Sequence, residues 1–280
     1  MSASRKATVR MIPEPLGKTV APSEEESESL VFMIADLQGI GRRENQEDTY
    51  AYMNTLDRDA SGVNSLLAVV ADGMGGLKGG KQASETAAKT IVQYYGGFDF
   101  ADDISVQLEE AVFHANDQVI NALKGAGGST VVTVLICDDK LYFCSVGDSY
   151  LFLLRDRTLI RMNRSHNVAC RTILDGVYVG KFDPQAGTKD SQKDALTHFL
   201  GQDGLDETDC LRRPFKLIAG DVILLCSDGV GGALTYPCIE KCLSHGFPKD
   251  MCAALEASVK AQNLLHQDNY TALVIQCRKK

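Results

Sequence analysis

Apolar residues fall in short blocks along most of the chain, and the spacing within each block predicts an element. Leu30-Val31-Phe32-Met33-Ile34-Ala35 reads as a strand, followed by strands at Thr49–Tyr52 and Leu66–Ala71. The period then changes. Over Gln82–Tyr95 the residues Ala83, Ala87, Ala88, Ile91, Val92 and Tyr95 share one helical face, and over Ile104–Leu123 the face is Leu108, Ala111, Val112, Ala115, Val119, Ile120 and Leu123. Four strands come next, at Thr130–Cys137, Leu141–Val146, Tyr150–Leu154 and Thr158–Met162. The breaks Asp138-Asp139-Lys140, Gly147-Asp148-Ser149 and Asp156-Arg157 are hairpin-sized, so the block predicts an antiparallel meander.

Residues 164–214 lack strong periodicity and carry scattered glycines, which predicts a loop-rich insertion with short helices. Strands Phe215–Ile218 and Val222–Cys226 follow, joined by Ala219-Gly220-Asp221. Helices at 237–244 and 249–262 and a strand at Thr271–Gln276 complete the pattern. Strands group with strands and helices with helices, which predicts an α+β fold. Strands as apolar as Val222–Cys226 need cover on both faces, and two packed antiparallel β-sheets flanked by helices provide it. Residues 1–29 hold Pro13, Pro15, Pro22 and the acidic run Ser23–Ser29, and read as a disordered tail before an ordered unit over 30–280.

Charge and composition narrow the partners. The net charge is −8 and no long Lys/Arg cluster occurs, so nucleic acid is not expected. No apolar run approaches the roughly 20 residues a membrane span needs, and no apolar stretch follows Arg5, Lys6 and Arg10 as in a signal peptide. The nine cysteines lack framework spacing. Cys137, Cys144, Cys226 and Cys277 sit in apolar runs as small hydrophobes, and Cys238 and Cys242 have no second pair to complete a zinc site. A reducing, cytoplasmic setting is expected.

The candidate chemistry lies in where the aspartates fall. Asp72 ends one strand and opens Gly73-Met74-Gly75-Gly76; Asp148 sits in a turn; Asp228 ends another strand before Gly229; Asp268-Asn269 precedes the last strand. Carboxylates gathered at one rim of a sheet suit hard divalent cations, and glycine lets a backbone carbonyl approach as a further ligand. Asp-Gly also makes ordinary turns, so each motif alone carries both readings. The segment Gly75–Lys81 matches a phosphate-cradling G-x-x-x-x-G-K loop, but Gln82 stands where Ser or Thr should follow. No cysteine has Arg six positions on, Gly-x-Ser-x-Gly is absent, and the five histidines show no ligand spacing.

Taken in order, the motifs resemble those of the type 2C metal-dependent serine/threonine protein phosphatases. Arg43-Glu44-Asn45-Gln46-Glu47-Asp48 resembles R-x-x-x-E-D, Asp72–Gly76 resembles D-G-x-G-G, and Gly147-Asp148-Ser149 resembles G-D-S. Leu196–Gly201 is similar to a segment that follows the family's flap, and Ser227-Asp228-Gly229 and Asp268-Asn269 resemble the closing S-D-G and D-N. The resemblance implies an αββα sandwich, two Mn²⁺ or Mg²⁺ ions, and hydrolysis of phosphoserine and phosphothreonine by a water the two metals share. It further implies that Asp72 bridges the metals and the Gly73 carbonyl binds one. Asp228 and Asp268 would bind the other, with Glu47 and Asp48 close by. Arg43, rather than Arg42, would hold the substrate phosphate. Asp148 would share a weaker third ion with Asp228, and residues 164–214 would form the flap.

Phosphoprotein substrates, an opposing Ser/Thr kinase and a monomeric state are implied as partners. Met74 stands where some members carry a His, Tyr150 where an Arg is common, and Gly232 where many have a further Asp. A non-catalytic scaffold is the alternative, and clustered charge at Asp72, Asp228 and Asp268 argues against it.

Overall fold

A computed structural model of the chain describes residues 30–54, 64–75 and 79–280. The expected tail over 1–29 and positions 76–78 of the glycine-rich connection lie outside the described residues. Strands β1 (Leu30–Gly39), β2 (Asp48–Asn54) and β3 (Ser65–Met74) lead to helices α1 (Gly79–Tyr95) and α2 (Ile104–Leu123). Then come β4 (Gly128–Ser129), β5 (Val131–Cys137), β6 (Lys140–Val146), β7 (Tyr150–Arg155) and β8 (Thr158–Arg161). The insertion contributes α3 (Val168–Tyr178) and β9 (Asp209–Cys210). The remainder is β10 (Phe215–Lys216), β11 (Val222–Cys226), α4 (Asp228–Gly231), α5 (Tyr236–Leu243), α6 (Pro248–Gln262) and β12 (Tyr270–Lys279).

The strands form two antiparallel sheets. One runs β1-β12-β11-β7-β8; the other runs β10-β6-β5-β3-β2, with β4 on β3 and β9 on β6. Strand β3 shows why its sequence is apolar throughout. Leu66, Ala68 and Val70 face the opposite sheet, against Ile223, Leu225 and Leu273, whereas Leu67, Val69 and Ala71 face outward beneath α1 and α2. Helices α5 and α6 cover the outer face of the other sheet through Ile239, Leu255 and Val259. The expected layering, helix over sheet over sheet over helix, is therefore present.

The expected single meander is not. The hairpin β5–β6 and the hairpin β7–β8 both form, the second turning through left-handed Asp156 and Arg157. Between them, Gly147-Asp148-Ser149 carries the chain from one sheet to the other. Gly147 has φ +100°, and a Cβ there would run into Thr130. Its N–H donates to His166 Nδ1 at 3.0 Å and its carbonyl accepts from the His166 N–H at 2.8 Å, so the groups a hairpin would use are taken by the insertion. Likewise β10 and β11 lie in different sheets, with Asp221 between them held by Arg155 at 2.8 and 2.6 Å. A short polar break reads the same in sequence whether it reverses a strand or transfers it.

One cysteine departs from expectation. Cys144 is not a lone hydrophobe: it faces Cys210 across the β6–β9 pair and is joined to it as a disulfide. The two lie 66 positions apart, with no spacing to announce them. Cys137, Cys226 and Cys277 are free and buried, as expected.

Candidate active site

The acidic residues meet at one end of the sandwich because adjacent strands of both sheets end there. Asp72 in β3 lies directly opposite Asp48 in β2. Asp228 follows β11 as the first residue of α4, Asp268 sits two positions before β12, and Asp148 sits in the crossover after β6. A cleft of about 270 Å³ is lined by Arg43, Glu47, Asp72, Gly73, Asp148, Asp228 and Asp268. Asp48 lies behind it, buried. All the residues singled out in the sequence thus converge.

Buried polar side chains hold this geometry. Ser227 donates its hydroxyl to Asp48 Oδ2 at 2.8 Å and accepts the Thr271 N–H at 3.0 Å, tying β2 to the junction of β11 and β12. Asn269 accepts the Glu47 N–H at 2.8 Å and donates to the carbonyls of Ile40 and Asn45 at 2.9 and 3.0 Å. The loop bearing Arg43 and Glu47 is thereby fixed to the start of β12. Thr130 holds the Asp72 backbone from below, its N–H on the Asp72 carbonyl at 2.8 Å. Gly73 packs so closely on the first turn of α1 that a Cβ would meet the Gly80 carbonyl.

Charge crowding dominates the electrostatics. Burial raises Asp72 well above the usual carboxylate range, and the charges of Asp48, Asp228, Asp148 and Asp268 add to it. Burial pushes Asp148 up to about 7, with Asp228 next in effect, and Asp48 up to about 6 despite its bond from Ser227. Asp228 is raised by burial and then by Asp268. Facing them, the Arg43 guanidinium donates to Asp268 Oδ2 at 2.5 Å.

The residues present fit divalent cations. Glu47 Oε1, Asp48 Oδ1 and Asp228 Oδ1 are buried and accept no hydrogen bond among the described residues. Orphaned acceptors of this kind cost free energy unless a cation or its water meets them. Among the described residues no three acidic, His or Cys side chains form a closed ligand set. The acceptors surround a cleft rather than a point, which suits hard cations that keep several waters and take few direct protein oxygens.

The sequence model of the family described as protein phosphatase 2C matches residues 44–267. The chain belongs to the protein phosphatase 2C family. A curated relative, the serine/threonine phosphatase stp of Listeria welshimeri, is 26% identical over 223 residues, 76% of this chain and 85% of its own length. The crystal structure of the serine/threonine phosphatase PstP/Ppp of Mycobacterium tuberculosis matches with a TM-score of 0.73 at 22% identity, covering 88% of this chain and 99% of that one. The catalytic domain of PstP in complex with two manganese ions matches with a TM-score of 0.70 at 22% identity, covering 89% and 100%.

Membership of the phosphatase family displaces the nucleotide-loop reading of Gly75–Lys81, and the packing agrees. Gly79 and Gly80 are spent on close contact with Ala126, Gly73 and Glu47 rather than on an open cradle. Of the departures from the family pattern, Met74 lines the cleft. Tyr150 stacks on Phe152 with the Arg161 guanidinium over its ring at 4.0 Å. Gly232 gives its N–H to the Asp228 carbonyl at 2.7 Å. Sequence reasoning missed Asp194, which enters the cleft from the insertion and had no motif around it. The organising roles of Ser227 and Asn269 were foreshadowed only by their place inside S-D-G and D-N.

Proposed function

We propose that this protein phosphatase removes phosphate from phosphoserine and phosphothreonine in proteins, with two Mn²⁺ or Mg²⁺ ions in the cleft between the sheets. The observation that carries the reading is the set of orphaned, buried carboxylate oxygens beside a guanidinium on one locked loop. Bound there, the cations would supply an activated water at neutral pH and offset charge on the phosphoryl group. Asp72, Asp228, Asp268, Glu47, Asp48 and the Gly73 carbonyl would hold the pair, directly or through water. Asp148 and Asp228 would serve a third, weaker ion. Arg43 presents a fork of N–H donors suited to two phosphate oxygens, and a cation bound at Asp268 and a phosphate on the substrate would each replace one half of the present Arg43–Asp268 ion pair.

The substrates are phosphoproteins, made by a Ser/Thr kinase that the phosphatase opposes, and the working unit is a monomer. No helix among the described residues is long and apolar enough to cross a membrane. A cytoplasmic setting is part of the same proposal: seven cysteines are free, and the Cys144–Cys210 disulfide is the one feature at odds with the reducing environment expected from the sequence.

Hydrolysis of phosphoserine and phosphothreonine peptides should require added Mn²⁺ or Mg²⁺, survive thiol alkylation, and exceed hydrolysis of phosphotyrosine peptides. Release of phosphate at full rate in excess chelator would sink the mechanism. Binding of phosphopeptide without turnover in saturating metal would favour the scaffold alternative.

A further inference from the structure

Beyond Arg43 the surface continues away from the metal cleft as two linked depressions. The inner one, about 340 Å³, is lined by Arg42, Arg43, Leu265, His266 and Gln267. The outer one, also about 340 Å³, shares Arg42 and Gln267 and adds Ile40, Lys260 and Leu264. Arg43 belongs to both the cleft and the inner depression, so the three form one continuous path.

Its chemistry is unlike the rest of the molecule. The chain carries a net charge of −8 and its cleft is ringed with carboxylates, yet neither depression is lined by an Asp or Glu. Aliphatic side chains stand open along it: Ile40 is 46% exposed, Leu264 43% and Leu265 87%. The Arg42 guanidinium touches Asn263 Oδ1 at 3.4 Å and has no carboxylate partner among the described residues. Lys260 is already held by Glu256 at 2.6 Å, which leaves Arg42 as the unpaired cation at the junction of the two depressions.

The path is preformed. The Arg42 N–H donates to the Gln267 carbonyl at 2.8 Å, and the same Asn269 that locks Glu47 also holds the Ile40 carbonyl. A surface fixed before binding loses little entropy when a flexible chain settles on it.

We propose that this strip seats the polypeptide next to the phosphorylated residue and selects flanks that carry a carboxylate beside an aliphatic side chain. The inference rests on the phosphatase reading above, because the occupant must be continuous with a phosphate held at Arg43. An extended chain advances about 3.3 Å per residue, so the strip has room for a few residues on one side of the phosphoresidue. A carboxylate meets Arg42, and an aliphatic side chain covers Ile40 and Leu264. Specificity of this kind adds selectivity without touching the reaction itself.

The test uses the full chain with Mn²⁺ and three phosphothreonine peptides: Asp and Leu on the N-terminal flank, Asp and Leu on the C-terminal flank, and Ser and Ala on both. Two readouts are taken. One is the Kd of the matching non-hydrolysable phosphonate peptides by fluorescence anisotropy; the other is kcat/KM for each peptide divided by kcat/KM for p-nitrophenyl phosphate. One of the two Asp/Leu peptides should bind about fivefold more tightly than the neutral one, and Arg42→Glu should erase that preference. Leu264→Ser should reduce it, and melting curves check that both exposed substitutions leave the fold intact. Equal affinity for all three peptides, or a preference that survives Arg42→Glu, overturns the inference while leaving the phosphatase reading in place. Absence of phosphopeptide hydrolysis by the unaltered protein overturns both. A dimer in sedimentation equilibrium that Arg42→Glu dissolves would assign the strip to a second copy and likewise overturn it.

Discussion

At the scale of single residues, the site is a group of carboxylates that resist ionising together. Asp72 lies at the centre of the repulsion, since four neighbouring carboxylates raise it beyond the effect of burial. Asp72→Asn is therefore expected to lose metal at both principal positions and to drop activity by more than the about 10–100-fold typical of changes one shell out from a metal. Asp148→Asn should keep two ions and lose only the weak third. Titration calorimetry with Mn²⁺, beside single-turnover kinetics, ranks the two; two ions bound to Asp72→Asn with normal turnover would remove Asp72 from its bridging role. Asn269 acts differently, through backbone it holds rather than ligands it offers. Asn269→Ala leaves one N–H and two carbonyls of the 40–47 loop without their partner. The expected loss is about 1–3 kcal/mol in urea unfolding. KM should also rise, because Arg43 rides on that loop, and an unchanged KM would show that Arg43 is positioned by something else.

At the scale of elements, the crossover at Gly147 matters more than its length suggests. It sets Asp148 against the cleft while the chain changes sheets, with the Gly147 φ at +100° and its amide and carbonyl both bonded to His166. Gly147→Ala should cost about 1–3 kcal/mol through backbone strain, read as a lower urea midpoint at unchanged m-value. A midpoint within error of the parent would mean that the turn relaxes freely. This crossover also marks where sequence reading ran out. Unbroken apolar runs placed β3, β5 and β11, which are buried on both faces, and the period-3.6 pattern placed α1 and α2, which each bury one, because burial writes itself into residue choice. β1 runs to Gly39, well past the apolar Leu30–Ala35, because pairing with β12 extends it through residues that alone would not choose a strand. Which sheet a strand joins depends on partners distant in sequence, so Gly147 and Gly220 looked like hairpin turns. The site was legible for a separate reason. Metal-ligand chemistry demands particular residue types at strand ends, so Asp72, Asp228 and Asp268 stood out, whereas Asp194 and Cys210 in the aperiodic insertion did not.

At the scale of the whole molecule, the cleft straddles the two sheets, with Asp72 and Glu47 reached from one and Asp228 and Asp268 from the other. Cations bound there, as proposed, would act as a clamp, and linkage gives the sign of their effect with pH. An aspartate in the unfolded chain titrates near about 3.9. In the fold burial pushes Asp48 up to about 6 and Asp148 up to about 7, so between about pH 4 and 7 these two positions hold more protons in the folded chain than in the unfolded one. The stability these two carboxyls contribute without metal then falls as pH rises through that window. Burial lowers His166, which works in the opposite direction, but it does so with or without metal and cancels in a difference. Mn²⁺ should therefore raise Tm more at pH 8 than at pH 5, measured by differential scanning fluorimetry against chelator. An equal rise at both values would place the cations away from these carboxylates.

The pairing of β1 with β12, from Leu30 against Lys279 to Gly39 against Tyr270, also bears on how the enzyme comes into being. β12 lies between β1 and β11 and is the last in chain order of the twelve strands among the described residues. Without β12, β1 has no neighbour in its sheet among the described residues, and Asp268 and Asn269 have no strand to hold them at the cleft. A chain cut just before Asp268 should therefore lose β1's only sheet neighbour among the described residues together with one cleft carboxylate, and is expected to release no phosphate from a phosphothreonine peptide in Mn²⁺.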